Sequence, residues 1–107
     1  MPQEPEARPR PVMVLLGLLS RRWALRVLWE LRDEPATFRV LRVRCSHVSS
    51  SVLSRRLAEL IQAEIVCTSP KGYLLTDGGR RLGELLLPLA EWAREHPAIA
   101  SVVPDVP

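Results

Sequence analysis

The chain is short of the residue types that most catalysis and all membrane spanning require. Three tryptophans, one tyrosine and one phenylalanine are its entire aromatic content in 107 residues, and it has only two cysteines. Cys45 and Cys67 give neither a disulfide framework nor metal-ligand spacing. His47 and His96 have no companions at metal-ligand distance and are expected on the surface, so no metal and no cofactor are expected. No nucleophile stands beside its base, no carboxylate pair is present, and no glycine loop could cradle a phosphate. Gly78-Gly79 suits a turn and a close helix contact instead. An enzyme is therefore not expected. No stretch approaches the roughly 18 apolar residues of a transmembrane helix. Arg8 and Arg10 do precede the run VMVLLGLL, as in a secretory leader. That run is short, is followed by Arg21 and Arg22, and lacks a small-x-small cleavage site, so a cytoplasmic protein without membrane contact is expected.

What is present suffices for one small domain. Apolar residues make up 47% of the chain, which excludes disorder throughout. The formal net charge is +3, unevenly spread. Residues 20–81 carry eleven arginines and one lysine against six acids, whereas residues 82–107 carry one arginine against four acids. A basic body with an acidic end fits a polyanion-binding face on one part of the fold.

Prolines 2, 5, 9 and 11, set among charges, predict a flexible arm over residues 1–11. The folded domain is expected over residues 12–96, and residues 97–107 read as a loose tail. Within the domain, residues 12–19 form a short apolar helix too hydrophobic to stand in water unpartnered. A second helix over 22–32 places Ala24, Val27, Leu28 and Leu31 on one face and stops at Asp33-Glu34-Pro35. Thr37 caps a short third helix through Arg44, with Phe38 and Leu41 inward and Arg39 and Arg42 outward. Cys45-Ser46-His47 makes a turn. Residues 65–68 and 72–75 read as paired strands joined by a tight turn through Pro70, which cannot donate to a ladder. Thr76 caps a last helix to about Glu95, in which Leu82, Leu85, Leu86, Leu89 and Trp92 form a stripe and Pro88 introduces a kink.

The stretch SSSVLSRRLAELIQAEIVCTSPKGYLLT, residues 49–76, carries most of the functional signal. Leu53, Leu57, Leu60 and Ile61 recur at helical spacing and face a core. At about 100° per residue, Ser51, Arg55, Ala58 and Gln62 point the opposite way, flanked by Ser50 and Ser54. Ser49 is a good N-cap, which places free N–H groups and positive dipole where the serines cluster. No acid occupies the first two turns. Helix followed by hairpin is the order in which a winged helix presents a recognition helix and a wing to DNA. The fold class is therefore mainly α with a small two-stranded β-hairpin, a winged helix-turn-helix with extra N- and C-terminal helices.

These residues resemble the HxlR type of winged-helix bacterial transcriptional regulators, relatives of the MarR group. The resemblance lies in Leu19-Ser20-Arg21-Arg22-Trp23, where the family usually has glycine-glycine-lysine-tryptophan, and in Pro35-x-x-Phe38-x-x-Leu41. It continues through Val48-Ser49-x-x-x-Leu53-x-x-Arg56-Leu57-x-Glu59-Leu60, Leu75-Thr76-x-x-Gly79 and Leu86-Leu87-Pro88-Leu89-x-x-Trp92, covering residues 13–93. It implies a homodimer in which the first and last helices pair across a two-fold axis, through Leu15, Leu16, Leu19, Leu82, Leu85, Leu86, Leu89 and Trp92. Two recognition helices would then stand roughly 34 Å apart and meet a palindromic operator. The family's cysteine ahead of the first helix, a redox sensor in some members, is replaced here by Pro9-Arg10-Pro11. The wing is also shorter than is common in the family.

The function expected is a sequence-specific double-stranded DNA-binding transcriptional regulator, a repressor. Arg55 is the candidate for base readout, since arginine is the usual partner of guanine O6 and N7. Ser49, Ser50, Ser51 and Ser54 are candidates at the helix N-terminus, and Arg39, Arg42 and Lys71 for phosphates. Arg56 lies nearer the core edge; it is a DNA-contact candidate equally able to pair with an acid such as Glu30. The alternative is a protein-interaction module that dimerises but docks a partner protein. A ligand- or redox-responsive switch could be layered on DNA binding; no effector is identifiable. Cys45, just before the recognition helix, has only Arg42 and Arg44 nearby to lower its pKa. Trp23, Trp29, Phe38 and Tyr73 sit within apolar faces, so core packing outweighs stacking on single strands.

Overall fold

A computed structural model describes residues 9–102. Of the arm and tail expected at the two ends, residues 1–8 and 103–107 lie outside the described residues. Five helices and one hairpin follow in order: α1 (Pro11–Leu19), α2 (Ala24–Glu30), α3 (Phe38–Arg44), α4 (Ser50–Gln62), β1 (Val66–Ser69), β2 (Gly72–Leu75) and α5 (Asp77–Arg94). A 3-10 turn over Pro97–Ser101 replaces part of the loose tail.

Three helix starts are set by hydroxyl caps. Val40 N–H donates to the Thr37 side chain, Val52 N–H to Ser49 and Gly79 N–H to Thr76, each filling a donor that the first helical turn leaves open. α1 starts without such a cap, at Pro11, whose missing N–H costs nothing there. α2 is shorter than its apolar pattern predicts. Trp23 sits at φ 78 in the left-handed region, so the chain turns at 20–23 before the helix begins.

The core gathers one face from each helix: Val27 and Leu28 from α2, Leu41 from α3, Leu53, Leu57 and Leu60 from α4, and Val66 and Leu75 from the hairpin. Ile61, expected inward, is instead exposed at the flank of α4. Leu19 of α1 is buried in this same core, so it is unavailable as a dimer contact; α2 packs over it. The charged groups reinforce the packing. Arg26 Nη2 donates to the carbonyl of Arg44 at 2.6 Å, supplying a cation and a donor to the C-terminal end of α3.

β1 and β2 pair antiparallel with Val66 opposite Leu75 and Ser69 opposite Gly72, so only Pro70 and Lys71 make the tip. The wing is tied back to the body by a bridge between Ala36 and Tyr73, with N–H···O distances of 2.9 and 2.8 Å. Glycine is required at position 72 for that bridge: its φ is 114, and a Cβ there would collide with the Ala36 carbonyl.

α5 leaves the body at a close crossing where Gly79 packs on the Ile65 carbonyl. It then runs on through Pro88 as one helix, and the proline lacks the N–H that would reach the Glu84 carbonyl. Its outer half has no cover within the subunit. Leu85, Leu89 and Trp92 are 66%, 61% and 53% exposed, and Val12, Met13 and Leu16 of α1 are similarly bare.

Candidate nucleic-acid interface

α3 and α4 are joined by a reversal that the backbone builds from two left-handed residues, Ser46 and His47, both at φ 58. Cys45 and Val48 on either side are buried and anchor it. Two bonds close it: His47 N–H donates to the Arg42 carbonyl at 2.8 Å, and Arg42 Nε donates to the Val48 carbonyl at 2.7 Å. Arg42 is thus partly committed to the turn that sets the angle between the helices. The turn presents the N-terminus of α4 outward.

On that end, Ser49, Ser50, Ser51, Ser54 and Arg55 are all exposed. Ser49 accepts from Val52 N–H at 3.2 Å and lies 3.5 Å from the Ser51 hydroxyl, so its oxygen serves first as the cap. Arg55 makes no ion pair among the described residues. Arg39 on α3 and Lys71 at the wing tip are likewise exposed and without an ion pair among them. Small hydroxyls, a guanidinium without an acidic partner among the described residues and a helix N-terminus therefore meet at this end of α4, a chemistry that suits phosphate and base edges.

Arg56 departs from the expectation. It is only 8% exposed and bonds Glu59 three residues along α4, not Glu30. Its Nε is buried without a partner. Glu30 instead pairs with Arg26, and Arg56 is not among the exposed side chains because its position falls on the core edge of α4. Glu59 also stands 3.6 Å from Arg21 on the α1–α2 turn. Sequence reasoning missed this brace, since nothing in the spacing of residues 21 and 59 announces their proximity.

Cys45 is buried, and burial, reinforced by Glu30, pushes its thiol above the ordinary range against the opposing pull of Arg26. The cation that pulls against burial is Arg26 of α2, a residue distant in the chain from Cys45.

The apolar stripes sort into two groups. Leu16, Leu85, Leu89 and Trp92 are exposed; Leu15, Leu82 and Leu86 are half-buried, with Leu15 and Leu82 packed on the core. Among the described residues no group of three or more His, Cys, Asp or Glu forms a metal site. No helix among them is long and apolar enough to cross a membrane.

A helix, a tight reversal, an exposed second helix and a hairpin braced against the body define a winged helix-turn-helix protein. The chain belongs to the HxlR-like helix-turn-helix family, which matches residues 18–100, a family of transcriptional regulators. It is 29% identical over 87 residues to an HTH-type transcriptional regulator, YvaP, of Bacillus subtilis, covering 75% of this chain and 81% of that one. The quinone-bound structure of YodB from B. subtilis is similar, with a TM-score of 0.74 and 30% identity over 78% of this chain and 96% of that one. A possible HxlR family transcriptional factor from Thermoplasma volcanium matches with a TM-score of 0.70 at 25% identity, over 80% and 84% of the two chains.

Proposed function

We propose that this protein binds double-stranded DNA sequence-specifically as a homodimer on a palindromic operator and represses transcription there. The single observation that carries the reading is the exposed end of α4, where Ser50, Ser51, Ser54 and Arg55 stand clear of the core. Arg55 reads a base, the serines contact bases or phosphates, and Arg39, Lys71 and the free guanidinium nitrogens of Arg42 hold phosphates. The dimer contact runs along Leu16, Leu85, Leu89 and Trp92, flanked by Leu15, Leu82 and Leu86. Exposed apolar stripes on two neighbouring helices support it, because such patches mark interaction surfaces. An isologous contact of this kind matches a palindrome. Repression by occupancy is the mode that needs no surface beyond these two.

The test is selection of genomic fragments by the purified protein, followed by a salt titration on the enriched sequence. A regulator contacting several phosphates loses affinity steeply with salt and keeps its preference for the selected site over random duplex. A protein that enriches no motif would instead be the winged-helix interaction module that docks a partner protein.

A further inference from the structure

The turn between α3 and α4 carries a histidine that neither the core nor the contacts proposed above employ. His47 is exposed and stands two residues before the Ser49 cap, so it borders the N-terminus of α4. Its backbone N–H is committed to the Arg42 carbonyl at 2.8 Å. Its ring makes no hydrogen bond and no ion pair among the described residues. The backbone at this position is at φ 58, where glycine is at ease and a side chain is a burden. Strain of this kind gathers at functional sites. An imidazole here, where glycine suits the backbone better, points to work done by the ring.

The charges on the elements that meet at the turn are mostly positive. α3 carries Arg39, Arg42 and Arg44, and α4 carries Arg55, Arg56 and Glu59. Arg44 pairs with Glu34 and Arg56 with Glu59, while Arg39, Arg42 and Arg55 have no acidic partner among the described residues. On α2, which packs on both helices, Arg26 and Glu30 pair with each other beside the buried Cys45, whose thiol is pushed above its ordinary range. The charges left without an acid are therefore cations, which oppose an imidazolium in the free subunit. A DNA phosphate reverses that sign, since an anion within reach favours the protonated ring. Histidine changes charge between about pH 5 and 8, whereas arginine stays charged throughout.

We infer that His47 grips a DNA phosphate as an imidazolium, so that operator affinity rises as the pH falls through the neutral range. This deepens the proposed function and rests on it: a duplex seated on the N-terminus of α4 carries its phosphates past the turn that leads into that helix. The turn is held firmly enough to aim the ring. His47 N–H on the Arg42 carbonyl and Arg42 Nε on the Val48 carbonyl fix its base relative to α4. Each subunit then takes up a proton on binding, and the species that holds more protons gains as the pH falls. The contact is complete at low pH and is lost as the pH rises past the point where the bound ring gives up its proton.

The test is the affinity of the full chain for its selected operator, read by fluorescence anisotropy at fixed ionic strength between about pH 6 and about pH 8. The unmodified protein is expected to bind about tenfold more tightly at the acid end, roughly threefold for each subunit of a dimer. His47→Gly is expected to flatten the profile and weaken binding at the acid end, yet to melt no lower than the unmodified protein, because glycine suits φ 58. A merely structural histidine would show the reverse, a lower melting temperature with the profile kept. His47→Lys, charged throughout, is expected to bind tightly across the range with little slope. His96→Gln, far along the chain where that ring stacks on Trp92 at 4.3 Å, should leave the slope in place. If the glycine variant does not fold, His47→Asn repeats the test, since asparagine also enters the left-handed region. Operator binding with a slope that survives loss of His47, or that vanishes in His96→Gln, overturns the inference and leaves the DNA reading standing. A chain that binds no duplex at either pH overturns both.

Discussion

The guanidinium of Arg56 is held inside the fold by the carboxylate of Glu59, one turn further along the same helix. Arg56 falls on the core edge of α4 and Glu59 between it and Arg55, so the pair fastens the flank of that helix to the body. Removing one partner leaves a buried charge uncompensated. Glu59→Ala is expected to destabilise the protein by about 2–3 kcal/mol, less than the roughly 3–5 kcal/mol of a fully buried pair because the Glu59 side chain keeps 24% exposure. Replacing both residues by methionine should restore most of that loss. Urea unfolding of the single and double variants measures it, and a double variant as weak as the single one would contradict the brace.

Arg55 and Arg39 should fail differently on DNA. Arg55→Ala is expected to cost about 1–3 kcal/mol on the selected operator and to relax its specificity. Arg39→Ala should weaken operator and random duplex alike and lower the salt slope by about one. Equal losses on both duplexes for Arg55→Ala would remove it from base readout.

Leu85 and Leu89 are bare in the subunit, so a charge there leaves the subunit fold intact. Leu89→Glu is expected to give folded monomers by sedimentation, with unchanged helical circular dichroism and much weaker operator binding. Dimers of normal stability in that variant would place the contact elsewhere.

Two glycines of α5 should answer oppositely to the same substitution. A Cβ at Gly79 would run into the Ile65 carbonyl, whereas at Gly83 it meets nothing. Gly79→Ala is expected to cost about 1–3 kcal/mol through overpacking. Gly83→Ala should instead gain about 0.5–1 kcal/mol from helix propensity. Thermal unfolding of the two variants side by side checks the pair of signs.

Cys45 sets an alkaline limit. Its native pKa lies above the unfolded value, so its stability contribution is complete below the unfolded thiol pKa of about 8.5 and is lost as pH rises through the native value. Stability should therefore fall above about pH 8.5, and less so in Cys45→Ala after correction for its own baseline. In the native protein the half-buried Cys67 should react with iodoacetamide before Cys45.

Much of this architecture was legible from local chemistry. Thr37, Ser49 and Thr76 cap the helices they were expected to cap, because a cap is decided by a residue and its next three neighbours. The inward faces of α2 and the outward row Ser51, Arg55, Ala58 and Gln62 follow from period alone. What stayed hidden depends on contacts between distant segments. Leu19 looked like a free apolar residue until α2 folded over it, and Arg56 like a surface cation until Glu59 and the core enclosed it. Arg26 on the Arg44 carbonyl joins residues 18 apart.

The hydroxyl of Thr76 donates to the Glu64 carbonyl at 2.6 Å while accepting from Gly79 N–H, and its own N–H reaches the Ile65 carbonyl at 3.0 Å. One residue thus rivets the root of α5 to the chain leaving α4, with the hairpin strung between them. There is no slack joint at which α5 could pivot alone. Any torque that a mate or a bound molecule exerts on that long lever is delivered to the trailing end of α4, and from there to the angle at which its serines face outward.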